Sequence, residues 1–195
     1  MRKPEPTPMQ PIPENAKLAF QGVLFDVYQW PQTMFDGTTK TFEKLTRNDT
    51  GTVIAATPQG KIIMTVQKQP GSKTAFGLPG GRIEKGEEPL AAVQREFLEE
   101  TGYAATNWKL WLKLYLHEKI NYVSYTYLAK NAHKVRSAEP DAGESIASQL
   151  MTFEEFMNLM LDDSFRDFEV ALGALRAQVD PGKFADLKMS LGLVS

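Results

Sequence analysis

Glu96, Glu99 and Glu100 stand at i, i+3 and i+4. On a helix, 100° per residue puts the three carboxylates within roughly a 100° arc of one face. Like charges at that spacing repel by roughly 0.2–0.5 kcal/mol per pair on an exposed helix, and by more when partly desolvated. Leu90, Val93 and Phe97 form an apolar stripe beside the trio, so the carboxylates belong at the edge of a buried face and call for a positive partner. Hard oxygen donors so placed suit Mg²⁺ or Mn²⁺, which accept carboxylates and keep waters that can be shared with substrate phosphates. Arg95 can pair with a neighbouring carboxylate and fix its rotamer. A merely solvated acidic face is the competing reading, and spacing alone does not separate the two.

The segment that carries the trio has helix punctuation. Pro89 suits a first turn, LAAVQREFLEE propagates, and Gly102 is a left-handed terminator. Ahead of it, Pro70 to Gly86 is dense in glycine with Pro79 among them, which predicts an irregular loop shaped for backbone contacts. Further upstream the chain reads as strands. AFQGVLFDVYQW and TKTFEKLTR flank the turn around Asp36-Gly37, and TVIAAT and KIIMTVQ flank Pro58-Gln59-Gly60. Downstream, WKLWLKLYL and NYVSYTYLA predict two more strands, joined near His117 to Ile120. A polar stretch from Lys130 to Gln149, with Glu139, Asp141 and Glu144, predicts a long loop. Thr152 with Glu155 three residues on forms a capping box, opening a helical end that continues through FRDFEVALGALRAQV.

Bulk properties narrow the function classes. A chain of 195 residues, 42% of them hydrophobic, can bury one proper core. With 22 Lys and Arg against 24 Asp and Glu there is no basic field to hold a long polyanion, so nucleic acid is not an expected partner. The absence of cysteine removes disulfides, zinc-thiolate sites and thiol nucleophiles. The proline-rich N-terminus has no apolar core for a signal peptide or membrane anchor, so the cytoplasm is the expected setting, without membrane association. Three segments are expected: an extended arm over 1–15, an N-terminal β subdomain over 16–47, and the main domain over 48–195.

The frame around the glutamates decides between the two readings of the trio. Gly81, Glu87 and Arg95-Glu96-Phe97-Leu98-Glu99-Glu100-Thr101-Gly102-Tyr103 fit the pattern G-x5-E-x7-R-E-U-x-E-E-x-G-U, with U a bulky apolar residue. The chain therefore resembles the Nudix hydrolases, with aromatic Phe97 and Tyr103 where aliphatic residues are more usual. The resemblance implies an α+β fold, an α/β/α sandwich around a mixed sheet, here with a small N-terminal antiparallel sheet. It implies Glu96 and Glu100 as the principal metal ligands, with Glu99 a further ligand or the holder of metal-bound water. Gly80, in Leu78-Pro79-Gly80-Gly81, would offer its carbonyl to a metal, while Arg95 and Glu87 brace the cluster.

DAGESIASQLMTFEEF further resembles the segment of the ADP-ribose and nucleoside-diphosphate-sugar pyrophosphatase subgroup in which a loop glutamate precedes a strand and the final helices. That implies Glu144 as general base, with Glu139 or Asp141 as substitutes, and a homodimer built through the N-terminal sheet. It also implies Arg47 and Gln67 as nucleotide or phosphate contacts. Gly77 and Gln69 depart from the ADP-ribose-selective pattern, which points to a broader nucleotide-sugar range including GDP-mannose. Tyr28, Trp30 and Phe35 could stack on a base or fill a core, and His117 and His133 lack ligand partners at metal spacing. Two other activities share the frame: a nucleoside-triphosphate or capped-RNA pyrophosphohydrolase, and a non-catalytic nucleotide-sugar-binding regulator. The near-neutral charge and the extra N-terminal strands weigh against the first, and the intact set of glutamates against the second.

Overall fold

In the computed structural model, residues 10–68, 71, 73–139 and 145–193 are described. The β-branched and aromatic runs at the N-terminus form β1 (Lys17–Gln21), β2 (Asp26–Thr33) and β3 (Thr39–Thr46), paired antiparallel in that order. Asp36 Oδ1 accepts from the Thr38 amide at 2.9 Å and Gly37 takes φ 81°, which closes the β2–β3 turn. Trp30 is buried, whereas Phe35 is fully exposed at the turn. Lys44, itself buried, donates to the Gln10 carbonyl and holds the described end of the arm against β3.

The central sheet uses the more apolar strands. β4 (Thr50–Ala56) and β5 (Ile62–Lys68) form the second hairpin, with Gly60 at φ 73° in its turn. Two short strands, β6 (Ala75–Gly77) and β7 (Gly80–Arg82), pair with β5 and β4 respectively, and α1 spans Pro89–Thr101. Then come β8 (Tyr103–Leu114), β9 (Ile120–Asn121), β10 (Ser124–Lys134) and β11 (Ser145–Met151). The chain ends in α2 (Phe153–Leu159), α3 (Phe168–Gln178) and α4 (Pro181–Ser190). Strand order is β11-β5-β4-β10-β8, mixed because β4 and β10 run parallel. β9 adds to the N-terminal sheet as a fourth strand, parallel to β3, and ties it to the main domain.

Period-two alternation splits the core across this sheet. Ile54, Ala56 and Leu128 face Phe156, Phe165, Val170 and Leu187 of the C-terminal helical layer. Val53, Ala55, Tyr127 and Ala129 face Val93 and Phe97 of α1. Gly51 has no side chain because Val93 takes its space: a Cβ there would lie 2.3 Å from the valine Cγ2. α1 therefore sits directly on β4, one layer of helix on each side of the sheet.

Three expectations need correction. The Pro70–Gly86 stretch is not wholly irregular, since β6 and β7 use main-chain hydrogen bonds to the central strands rather than side-chain patterning. The polar stretch from Lys130 is strand at both ends, with β10 running to Lys134 and β11 starting at Ser145. β11 is an edge strand, exposed along most of its length, so its SIASQLM sequence carries no buried alternation to read. Pro181 at N1 also opens a further helix, α4, beyond the two helical segments expected. Among the described residues no helix is long and apolar enough to cross a membrane.

Candidate active site

α1 delivers the glutamates to the LPGG turn. Gly102 ends the helix at φ 68°, with its amide bonded to the Leu98 carbonyl. The Gly80 amide donates to Glu100 Oε2 at 2.9 Å, and Glu100 is only 6% exposed. Glu96 lies against Gly81, where a Cβ would stand 2.6–2.8 Å from its carboxylate atoms. Both glutamates line a polar cavity of about 570 Å³ together with Gly80, Gly81, Arg47 and Gln67.

Arg95 is the cation that the cluster demanded. Its guanidinium donates to Glu87 Oε1 at 3.1 Å, to Glu96 Oε1 at 2.8 Å and to Glu99 Oε2 at 3.0 Å. The Arg95 bonds, followed by the Glu84 amide, hold the Glu87 carboxyl below its usual range. The same bonds, Glu87 foremost, raise the Arg95 guanidinium further above its already high value. This divides the trio: Glu96 and Glu100 reach the cavity, whereas Glu99 is turned to Arg95 and is not part of the lining. Among the described residues no three His, Asp or Glu side chains are closed around a point that would hold a metal ion. The donors still fit a hard divalent cation. Two carboxylates meet at a glycine turn: Glu100 takes the Gly80 amide, and Glu96 occupies the room left by the missing Cβ of Gly81.

The remaining wall comes from the far end of the chain, which the sequence reading did not single out. Before α3, Phe165 bridges Phe76 in parallel, the Phe76 amide donates to the Ser164 carbonyl, and the Arg166 amide donates to the Phe76 carbonyl. Asp167 Oδ2 then accepts from the Leu78 amide at 2.7 Å. Arg166, Asp167 and Glu169 consequently line the cavity, as do Arg82 and the tips Val23 and Leu24 of the N-terminal sheet. Asp167 precedes α3 in the N-cap position yet makes no cap bond, which is the one local sign that its carboxylate is engaged elsewhere.

Arg47 stands at the cavity with its guanidinium carbon 5.1 Å from the Tyr122 ring centroid and 5.7 Å from that of Phe25. Its Nε is buried and has no hydrogen-bond partner among the described residues. Gln67 is buried, donates to Thr65 Oγ1 at 3.0 Å and accepts from Arg166 Nη1. Glu139 is ion-paired with Arg136, and its amide donates to the Glu99 carbonyl at 2.7 Å. Asp141 and Glu144 lie outside the described residues. His133 is exposed on β10, its Nδ1 3.1 Å from the Asn131 carbonyl.

The family model described as NUDIX domain matches residues 46–171. The chain belongs to the NUDIX domain family. Among its relatives, the ADP-ribose pyrophosphatase of Bacillus subtilis (strain 168) is 38% identical over 87 residues, 44% of this NUDIX chain and 47% of that protein. The chain thus spans about half the length of that relative. The methanol dehydrogenase activator of Bacillus methanolicus is 28% identical over 131 residues, 65% of this chain and 70% of the relative. A solved structure described as an ADP compounds hydrolase superposes with TM-score 0.71 at 18% identity, covering 97% of this chain and all of the other. That superposition carries the NUDIX fold.

Asp167 is expected to make the stability of this NUDIX protein depend on pH. Burial pushes its carboxyl up to about 6, against the pull of the Leu78 amide and Arg166. A carboxyl that holds its proton more tightly folded than unfolded contributes stability in full below the unfolded value. That contribution disappears as pH rises through the folded one. Relative to Asp167→Asn, the wild type is expected to lose about 2–3 kcal/mol of stability between pH 4 and pH 7. Urea unfolding of both proteins across that range measures it, and a flat or rising difference would contradict the assignment.

Proposed function

We propose that this chain hydrolyses the pyrophosphate bond of nucleoside diphosphate sugars such as ADP-ribose or GDP-mannose, giving a nucleoside monophosphate and a sugar phosphate. One observation carries the reading: Glu96 and Glu100 meet at the Gly80-Gly81 turn in a cavity that also carries Arg47, Arg82 and Arg166. Acidic donors for a cation and guanidinium groups for phosphate are thereby combined in one space, as a diphosphate requires. The name of the matched Bacillus subtilis relative supports the choice of substrate class.

Glu96, Glu100 and the Gly80 carbonyl would hold Mg²⁺ or Mn²⁺, with Glu99 as a further ligand or the holder of a water. When bound, such an ion neutralises the diphosphate and lowers the pKa of water at phosphorus. Arg95 and Glu87 fix the rotamers of the cluster, and Arg47 and Gln67 contact nucleotide or phosphate. Glu144 takes the proton of the attacking water, with Asp141 and Glu139 as the alternatives. A second copy is expected to complete the nucleotide pocket through the N-terminal sheet. Support for this comes from Val23 and Leu24, which reach the cavity, and from Leu18 and Phe20, which are exposed on β1.

Purified protein should turn over at least one of ADP-ribose, GDP-mannose and UDP-glucose with Mg²⁺, read as phosphate released by added phosphatase, and should stop on chelation. Turnover of none of the three would defeat the reading.

A further inference from the structure

We propose that Arg166 binds a phosphate oxygen of the substrate, and that Gly77 is glycine to leave its arm room. The assignment rests on the pyrophosphatase reading for the identity of the ligand and on separate geometry for the residue. Arg166 lines the same cavity as Glu96 and Glu100 although it comes from the connection between α2 and α3.

Its position is over-determined. The Arg166 amide is fixed to the Phe76 carbonyl at 3.0 Å. The side chain then lies across Gly77, where a Cβ would stand 2.9 Å from Nε and 3.3 Å from both Cγ and Cδ. At the tip, Nη1 donates to Gln67 Oε1. Gln67 cannot turn that oxygen away without losing its own bond, because its Nε2 donates to Thr65 Oγ1 at 3.0 Å. Thr65 Oγ1 in turn donates to the Gly77 carbonyl at 3.0 Å. This buried relay begins and ends at Gly77 and sets the rotamer of one arginine.

Among the described residues the charge so placed has only a long-range carboxylate partner. The nearest paired carboxylate oxygen, Asp167 Oδ1, is 3.9 Å from Arg166 Nε, beyond hydrogen-bond length, and the other Asp167 oxygen is held by the Leu78 amide. Arg95 makes an instructive contrast, since it is bonded to three glutamates. The Arg166 side chain keeps 41% of its surface accessible, enough to present donors to a ligand in the cavity. A guanidinium pre-set in this way, with one hydrogen bond to a side chain among the described residues, matches phosphate oxygens in geometry and charge. The glycine that departs from the ADP-ribose-selective pattern at 77 then has a steric cause in this chain.

The test uses Arg166→Ala, Arg166→Lys, Gly77→Ala and the double variant Gly77→Ala/Arg166→Ala. Two readouts are needed: steady-state kinetics with the best substrate in Mg²⁺, and calorimetric binding of α,β-methylene-ADP, which cannot be hydrolysed. Arg166→Ala should raise KM and the analogue's Kd by about 10- to 100-fold while kcat changes by less than about 5-fold. Arg166→Lys should recover part of the loss. Gly77→Ala should weaken binding when Arg166 is present and do little when it is absent, a non-additivity that a merely structural glycine would not produce. Unchanged KM and Kd in Arg166→Ala would overturn the proposal, as would additive effects in the double variant or a wild type that does not bind the analogue. A wild type that binds the analogue but turns over no substrate would defeat the hydrolase reading instead, and the Kd ratio alone would then decide the assignment.

Discussion

Replacing Glu100 with glutamine is expected to lower kcat by about 10³-fold while the protein melts at the same temperature or slightly higher. The amide keeps the size of the side chain and an oxygen for the Gly80 amide, which donates to Glu100 at 2.9 Å. What disappears is the charge on a group only 6% exposed. Loss of about 4 kcal/mol of charge stabilisation at phosphorus corresponds to that fall in rate. The stability side follows from the cost of the cluster: one guanidinium serves Glu87, Glu96 and Glu99, so removing a nearby negative charge relieves repulsion. Steady-state kinetics with Mg²⁺ and a thermal melt check both halves. A kcat within tenfold of wild type would remove Glu100 from the chemistry, and a large drop in Tm would make it a structural residue.

Gly80→Ala should instead break the framework. Gly80 has φ 150°, and a Cβ would stand 2.1 Å from the Gly51 carbonyl oxygen and 2.7 Å from Thr52 Cα. These are backbone atoms of the central strand, so no rotamer change relieves the clash, and the β4–β7 pairing must open. A loss above about 3 kcal/mol is expected, lowering Tm by roughly 6–12 °C, with activity lost as the Glu100 anchor moves. Gly86→Ala is the matched control: φ is 85°, but nothing lies within 4 Å of the added methyl. Only the backbone penalty of about 1 kcal/mol applies there. Thermal melts that place Gly80→Ala within about 2 °C of wild type would refute the steric account.

The contrast between those two glycines also explains what could be read from the sequence. α1 and its glutamates were legible because their signals are local: a proline start, a glycine stop and a 3.6-residue period within Pro89–Thr101. The two hairpins and the Thr152 capping box were legible for the same reason, and the box is present, with Glu155 reaching back to the Thr152 amide at 2.6 Å. Arg166 and Asp167 were not. In the sequence they read as charges in the first turn of the FRDFEVALGALRAQV helix, where solvation is the ordinary expectation, whereas α3 begins only at Phe168. Their engagement depends on Phe76 and Leu78, residues of a glycine-rich stretch that itself looked irregular. β11 was implied only by the subgroup resemblance and escaped the local pattern, because an exposed edge strand has no buried side to pattern. Pairing across long sequence separation leaves little trace in either partner.

The bond from the Leu78 amide to Asp167 spans 89 residues. Closing so long a loop is entropically costly and slow compared with forming α1 or either hairpin. On the ribosome the consequence is a delay: at about 5–20 residues per second, the LPGG turn leaves the synthesis site roughly 5–20 s before its counterpart exists. During that interval the nascent protein carries its acidic helix and its glycine turn without the segment that fastens them. The last-made part of the NUDIX region therefore sets when the polypeptide becomes competent, however early its signature is translated.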